Sequence, residues 1–267
     1  MSGDDTLTPL PDHIFIDRAA QSGRTIQQEV SRGIEGGEMP IRYQRNAATI
    51  SPMEQAKLAR SRILLVGCGG LGGHVLEFLV RAGVGTILVC DPDRFDLTNA
   101  NRQILASSNN IGRIKVEVAS ERAGRINPLV RVMPLATDFR NEKSLAADLV
   151  VDCLGGAECR RDLQRMAAEG KMPLVSAGIS GWTALVSTTW PGETGLAEFM
   201  NEKQAGSELI QGVPSPVAGF AASLQATEVV RILTGHIPAL RGSLLLADLA
   251  EMRFSSISLQ TGLDFSI

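Results

Sequence analysis

The sequence predicts an α/β protein built on an open, mostly parallel sheet with helices on both faces and antiparallel strands at its C-terminal edge. Three observations carry that expectation. Continuous apolar runs of strand length recur along the chain, segments with helical apolar spacing separate them, and the first of those helices follows its strand after only a glycine-rich turn. The 267 residues, 44% hydrophobic and 21% charged, suit one large domain with an appendage and exclude collagen-like, disordered and coiled-coil classes.

Taken in order, residues 1–40 lack a sustained apolar period and carry Gly23, Gly33, Gly36 and Gly37 around one short helix, Thr25 to Ile34. They are expected to form a partly irregular appendage without a core of its own, and residues 41–267 the main domain. A helix starts near Ser51. From Arg62, RILLVG reads as a buried strand, HVLEFLVRAG as a helix stopped by Gly83, and TILVCD (Thr86 to Asp91) as the next strand, a right-handed βαβ crossover. Ile111 to Ile126 is helical in spacing; VRVMPL and DLVVDCL follow as strands, Arg160 to Ala168 as a helix and PLVSAGI from Pro173 as a strand. TALVSTTW reads as an edge strand and Pro191 to Val213 as a loop. SPVAGFAASLQATEVVRIL is a helix, apolar on most sides, with Pro216 near its start and Gly235 as its stop; GSLLLAD and RFSSISL pair as a hairpin.

A formal charge of −3 provides no field for nucleic acid or an anionic membrane. Apolar runs fall short of a membrane span and MSGDDTLTPLPD is too polar for a secretory signal, so a soluble cytoplasmic protein is expected. Cys68, Cys90, Cys153 and Cys159 contain no C-x-x-C pair, and three of them sit in apolar, strand-like contexts, which points to small buried residues rather than disulfides or a thiolate zinc site.

VGCGGLGG places Gly67, Gly69 and Gly72 in G-x-G-x-x-G order between a strand and a helix, a turn through which backbone N–H groups and a helix N-terminus can meet phosphate. Asp91 ends the second strand, where ribose hydroxyls would lie. A tight turn without ligand and a dinucleotide site of a dehydrogenase are the competing readings. DPDRFDLTNANRQ argues against the dehydrogenase, because Asn99, Arg102 and Gln103, with Lys115 beyond, set two extra cations beside the glycine turn, an arrangement suited to a triphosphate.

These pieces, together with RYQRN from Arg42, AGVGTILVCDPD, IGRIK, RINP, DLVVDC, PLVSAGI and SLQATEVVRILTG, resemble the MoeB/ThiF/HesA superfamily of adenylating enzymes over about residues 42–259. The resemblance implies a Rossmann-like domain that uses ATP to join AMP to the C-terminal carboxylate of a small ubiquitin-like sulfur-carrier protein ending in Gly-Gly, in molybdopterin-type or thiamine biosynthesis. It also implies a nucleotide set of Gly67, Gly69, Gly70, Leu71, Gly72, Asp91, Asp93, Asn99, Arg102, Gln103 and Lys115, with Arg102 and Lys115 offsetting charge in the transition state. Arg45 would reach the nucleotide of a neighbouring subunit in a homodimer; its alternative is a surface arginine.

The chain departs from the family in three places. Gly155 in Asp152-Cys153-Leu154-Gly155-Gly156 stands where relatives carry an aspartate that helps hold Mg2+, leaving Asp152, Glu158 or the triphosphate itself to compensate. The paired C-x-x-C motifs for zinc are missing, and no cysteine lies between Trp190 and Pro216, so no thioester on that loop is expected. Cys153 and Cys159 stay as candidates near the nucleotide. His13, His74 and His236 are isolated, and Trp182 reads as a sheet-face or substrate-groove residue. Two rival functions stay open: a relative acting on a tRNA-bound carboxylate, for which no basic stripe is seen, and a noncatalytic nucleotide-binding scaffold.

Overall fold

In chain order the elements are β1 (Thr8–Leu10), α1 (Asp12–Ser22), α2 (Ile26–Glu35), β2 (Glu38–Pro40), α3 (Pro52–Arg60), β3 (Arg62–Val66), α4 (Gly70–Ala82), β4 (Thr86–Cys90), α5 (Lys115–Ile126), β5 (Arg131–Leu135), β6 (Leu149–Asp152), α6 (Ala157–Glu169), β7 (Leu174–Ser180), β8 (Thr183–Thr189), α7 (Leu196–Phe199), α8 (Ser215–Thr234), β9 (Ser243–Asp248) and β10 (Arg253–Ser258). The computed structural model describes residues 7–142, 145–200 and 211–259. Its main sheet has eight strands in the order β10-β9-β8-β7-β6-β3-β4-β5. The strands from β5 to β7 run parallel, and β8, β9 and β10 add antiparallel pairs.

Strand alternation divides the apolar runs between two faces. Ile63, Leu65, Ile87, Val89, Leu149 and Val151 point into one cluster with residues of α4, α5 and α8; Leu64, Val66, Leu88, Cys90 and Val150 point into another with Leu163 and Ala167 of α6 and with Phe139. Helical cover on both sides is why these strands read as unbroken apolar runs. Each fully buried Leu or Val contributes roughly 1.5–3 kcal/mol against an exposed reference. Gln225 of α8, fully buried, ties the strand ends together: its Nε2 donates to the Asp152 carbonyl at 2.8 Å and to the Val175 carbonyl at 3.2 Å.

Four features differ from the sequence reading. β8, expected at the edge, lies between β7 and β9. Its Ser and Thr residues look solvent-directed in sequence, but Thr188 is buried and its Oγ1 donates to Glu228 at 2.9 Å, whose carboxylate also accepts from the Ala239 and Leu240 N–H groups. The edges are β10 and β5, the latter carrying Pro134, which an edge tolerates. α5 begins at Lys115 rather than Ile111, because residues 112–115 pair with 93–95: Gly112 N–H donates to Phe95 O, Phe95 N–H to Arg113 O and Lys115 N–H to Asp93 O. α6 begins at Ala157, three residues ahead of the expected start.

The fourth difference is at the N-terminus. Residues 8–40 hold two helices and a parallel β1–β2 pair instead of one helix in an irregular arm. Phe15, Val30, Ile34 and Met39 form a small cluster with Tyr43, Ala56, Ala59 and Leu129. The sequence hides α1 because its buried side is no more than Phe15 and Ala19. Within the expected loop from Pro191 to Val213 lies α7; residues 201–210 of that loop fall outside the described residues. The stops at Gly83 and Gly235 and the β9–β10 hairpin stand as read, both glycines in the left-handed region. No helix among the described residues is long and apolar enough to cross a membrane.

Asn127 bonds the two clusters. Fully buried, it donates through Nδ2 to Tyr43 Oη and to the Val80 carbonyl, both at 2.8 Å, and accepts through Oδ1 from Leu129 N–H at 3.1 Å. Asn127→Ala strands those groups without solvent, so it is expected to cost about 2–3 kcal/mol in urea unfolding, with a Tm loss of roughly 4–10 °C.

Candidate functional site

β3 has β4 on one side and β6 on the other, so the chain leaves β3 in opposite directions at that point of the sheet. The loops after the strands part there and leave a crevice. A cleft of about 620 Å³ occupies it, its wall including Gly67, Gly69, Gly70, Leu71, Asp91, Asp93, Arg102, Gln103 and Lys115, with Cys90, Asp138, Cys153, Leu154, Gly155, Cys159, Arg160, Ile179 and Val213 also on its surface. Nine residues singled out in sequence thus converge on one wall.

The turn from β3 into α4 depends on two glycines. Gly67 has φ +91°, and a Cβ there would lie 2.6 Å from the Cys153 carbonyl oxygen; a Cβ on Gly72 would lie 1.9 Å from the Gly67 carbonyl oxygen. Gly72 therefore packs behind the turn and is not on the cleft wall. Gly69 and Gly70 open the first turn of α4, whose leading N–H groups have no intrahelical acceptors and whose dipole favours an anion.

Asp91 is 6% exposed and laces two loops together: one carboxylate oxygen accepts from Cys68 N–H at 2.6 Å and the other from Asp93 N–H at 2.8 Å. Lys115 is buried, and its Nζ donates to Asp93 Oδ2 at 2.9 Å. Arg102 donates from Nη1 to the Asn101 carboxamide oxygen at 2.9 Å and to the Thr98 carbonyl at 3.2 Å, which orients it at the rim. Gln103 is buried against Gly69, and its Oε1 has no partner among the described residues. A glycine cradle with Arg102 at the rim and Lys115 within is what a nucleotide polyphosphate would engage, and the unmet Gln103 Oε1 is an acceptor for a hydroxyl or amino donor of a nucleoside, so the residues fit that group.

Besides Gly72, two of the expected residues are off the wall. Asn99 caps a 3₁₀ turn, its Oδ1 accepting from Asp96 N–H at 3.0 Å and its carbonyl from the N–H groups of Arg102 and Gln103, so it shapes the wall from behind. Arg45 lies on the exposed 3₁₀ turn Ile41–Asn46, off the wall of its own chain's cleft. His74 turns its Nδ1 to the Gly70 carbonyl at 2.7 Å and is not on the wall either.

Sequence reading missed Arg160. At 3% exposure it donates from Nη1 to Asp152 Oδ2 at 2.6 Å and from Nη2 to the Leu154 carbonyl, while its Nε has no partner among the described residues. The available signal was a charge at the start of a helix on the same side as its apolar residues Ala157, Leu163 and Ala167, which are buried with it. This pair also bears on Mg2+. Asp152 is engaged by Arg160 and by Leu154 N–H, Glu158 is exposed and off the wall, and Gly155 has no side chain. No group of three or more His, Cys, Asp or Glu side chains among the described residues could hold a metal ion, so these residues do not make an all-protein cage, and Mg2+ would be held largely by the triphosphate.

The thiols are quiet. Burial pushes Cys90 up to about 12 and raises Cys68 and Cys153 strongly, with the neighbouring Asp91 and Asp152 carboxylates adding to the rise in those two. They are neutral near pH 7, when a nucleophile must be thiolate. Cys159 is half-buried on the cleft wall. Trp182 is 53% exposed in the turn between β7 and β8.

Residues 43–262 match the ThiF family. The chain is 32% identical over 215 residues to the sulfur carrier protein ThiS adenylyltransferase of Escherichia coli K12, covering 77% of this chain and 85% of that protein. It is 33% identical to the molybdopterin-synthase adenylyltransferase of the same organism, covering 77% and 86%, and 32% identical to a sulfur carrier protein adenylyltransferase of Thermus thermophilus, covering 79% and 83%. A crystal structure of E. coli MccB with AMPCPP and MccA superposes with a TM-score of 0.71 at 24% identity, over 82% of this chain and 71% of that one, a likeness of fold.

Arg160→Met leaves the Asp152 carboxylate buried and unpaired. The expected outcome in urea unfolding is a loss of about 3–5 kcal/mol, much of it recovered when Asp152 is replaced by Leu in the same chain.

Proposed function

Because the chain belongs to the ThiF family and is an adenylyltransferase of that type, we propose that it activates the C-terminal carboxylate of a small ubiquitin-like sulfur-carrier protein ending in Gly-Gly. The observation that carries this reading is the glycine turn, Asp91 and the two cations Arg102 and Lys115 facing one cleft at the crevice of the sheet. In the reaction a carboxylate oxygen of the carrier attacks the α-phosphorus of ATP. The bond from that phosphorus to the bridging oxygen of the β-phosphate breaks, and acyl-adenylate and pyrophosphate result.

Each residue then has a task. N–H groups from Gly67 to Gly70 cradle phosphate, Asp91 accepts from ribose hydroxyls with its remaining lone pairs, and Arg102 and Lys115 hold the departing pyrophosphate as charge collects there. Asp93 keeps Lys115 extended toward the cleft, and Asn99 acts through the turn it caps. Arg45 comes from a second copy of the chain, which makes the homodimer the active unit. The absence of any cysteine from 191 to 215 supports release of the acyl group to an external nucleophile such as sulfide or a sulfurtransferase, with no thioester on that loop. The names of the relatives support carriers of the thiamine or molybdopterin type. Gly155 favours one competing reading, a nucleotide-binding scaffold without chemistry.

ATP–pyrophosphate exchange in the presence of Mg2+ and Gly-Gly-ended carriers separates the two. Exchange that depends on a carrier is expected, and Arg102→Ala and Lys115→Ala should each lower it by about a hundredfold or more with the far-ultraviolet dichroism unchanged. ATP binding with no exchange supports the scaffold, and undiminished exchange in both variants overturns the assignment of the site.

A further inference from the structure

We propose that the N-terminal helix pair α1–α2 is a brace that fixes the Arg45-bearing turn, with Asp12 as its positioning residue; this rests on the reading that Arg45 reaches the nucleotide of a second copy. The family match starts at residue 43, and the pair precedes it. Neither helix contributes to the cleft wall. Their polar contacts reach Glu38, the Leu129 carbonyl and Arg60 of α3, and one of them, from Asp12, falls on Arg42, three residues before Arg45.

Asp12, the first residue of α1, takes the Arg42 guanidinium in a two-pronged pair, Nε to Oδ1 at 2.9 Å and Nη2 to Oδ2. Arg42 Nη1 donates onward to the Ile126 carbonyl at 2.8 Å, so one side chain joins α1 to the end of α5. Next in sequence, Tyr43 is 1% exposed, packed in the cluster with Phe15, Val30 and Met39. On the far side Asn46 Nδ2 donates to Gln55 Oε1 of α3 at 3.2 Å. Arg45 is held between these anchors and is itself exposed.

The physical reason lies in conformational entropy. An arginine that must act on a neighbour's ligand gains nothing from its own chain's cleft, and every backbone degree of freedom left loose in its turn is lost on contact. Clamping residues 42, 43 and 46 in advance leaves only the Arg45 side chain to be ordered. Asp12 and Arg42 are each about three-quarters covered, which limits solvent screening of the pair.

The test measures ATP affinity of the full chain by calorimetry, without any carrier protein, for Asp12→Asn, Arg45→Ala and the double variant, with Asp12→Glu as the conservative control. Asp12→Asn is expected to weaken ATP about threefold to tenfold, Arg45→Ala at least as much, and the double variant no further than Arg45→Ala alone. Asp12→Glu should recover most of the loss. A merely structural role predicts losses that multiply in the double variant, and that result overturns the proposal, as does unchanged affinity in Asp12→Asn or in Arg45→Ala. Thermal unfolding of each variant identifies any global loss of fold. Absence of exchange with every carrier would sink the adenylation reading while leaving this affinity cycle intact.

Discussion

The rest of the molecule depends on one close approach of backbone to backbone. Gly72, in the first turn of α4, lies so near the Gly67 carbonyl that a single added carbon would overlap it, and Gly67 in turn presses against the carbonyl of Cys153 at the end of β6. Those contacts seat α4 at the mouth of β3 and set how far β3 and β6 diverge above the sheet. The cleft is the volume that remains. Its walls are then stapled by buried polar groups rather than by apolar packing: Asp91 across two loops, Gln225 across two strand ends, Asp152 with Arg160 across the turn into α6.

Charge around the cleft is arranged in couples. Lys115 faces Asp93 and Arg160 faces Asp152, so the two buried cations of the cleft are compensated, as their burial requires, while Arg102 at the rim has only the neutral Thr98 carbonyl and Asn101 carboxamide as acceptors. The two couples are not equivalent. Asp93 is largely solvent-exposed and can swing aside when a polyanion arrives, whereas Asp152 is as buried as its partner and cannot. One couple is suited to exchanging partners with a ligand and the other to holding a turn in place.

Much of this architecture was legible in the residues. The parallel strands, the α4 and α8 stops and the C-terminal hairpin followed from apolar runs and glycines because their signals are local. So did nine members of the cleft wall. What escaped reading was set by partners distant in sequence. β8 looked like an edge because hydroxyls in a strand ordinarily face water, and nothing near it announces that Glu228, forty residues on, will satisfy Thr188 in the interior. α1 escaped because its apolar side is narrow and finds its cover in α2, Tyr43 and α3. Arg160 was passed over because a charged residue in a helix is by default a solvent-facing one, and its carboxylate lies eight residues back on a strand. Spacing alone does not encode that Asn99 caps the turn behind the wall, accepting from the N–H groups of Asp96, Arg102 and Gln103.

The burial of Cys68, Cys90 and Cys153 has a consequence for the chemistry surrounding the protein. Thiols kept protonated and almost wholly covered resist alkylation, peroxide and persulfide transfer. On the proposed reading of a partner that carries sulfur, such thiols are kept from becoming acceptors themselves. The fourth, Cys159, half-buried on the cleft wall, is the sulfur that burial does not shield in this way.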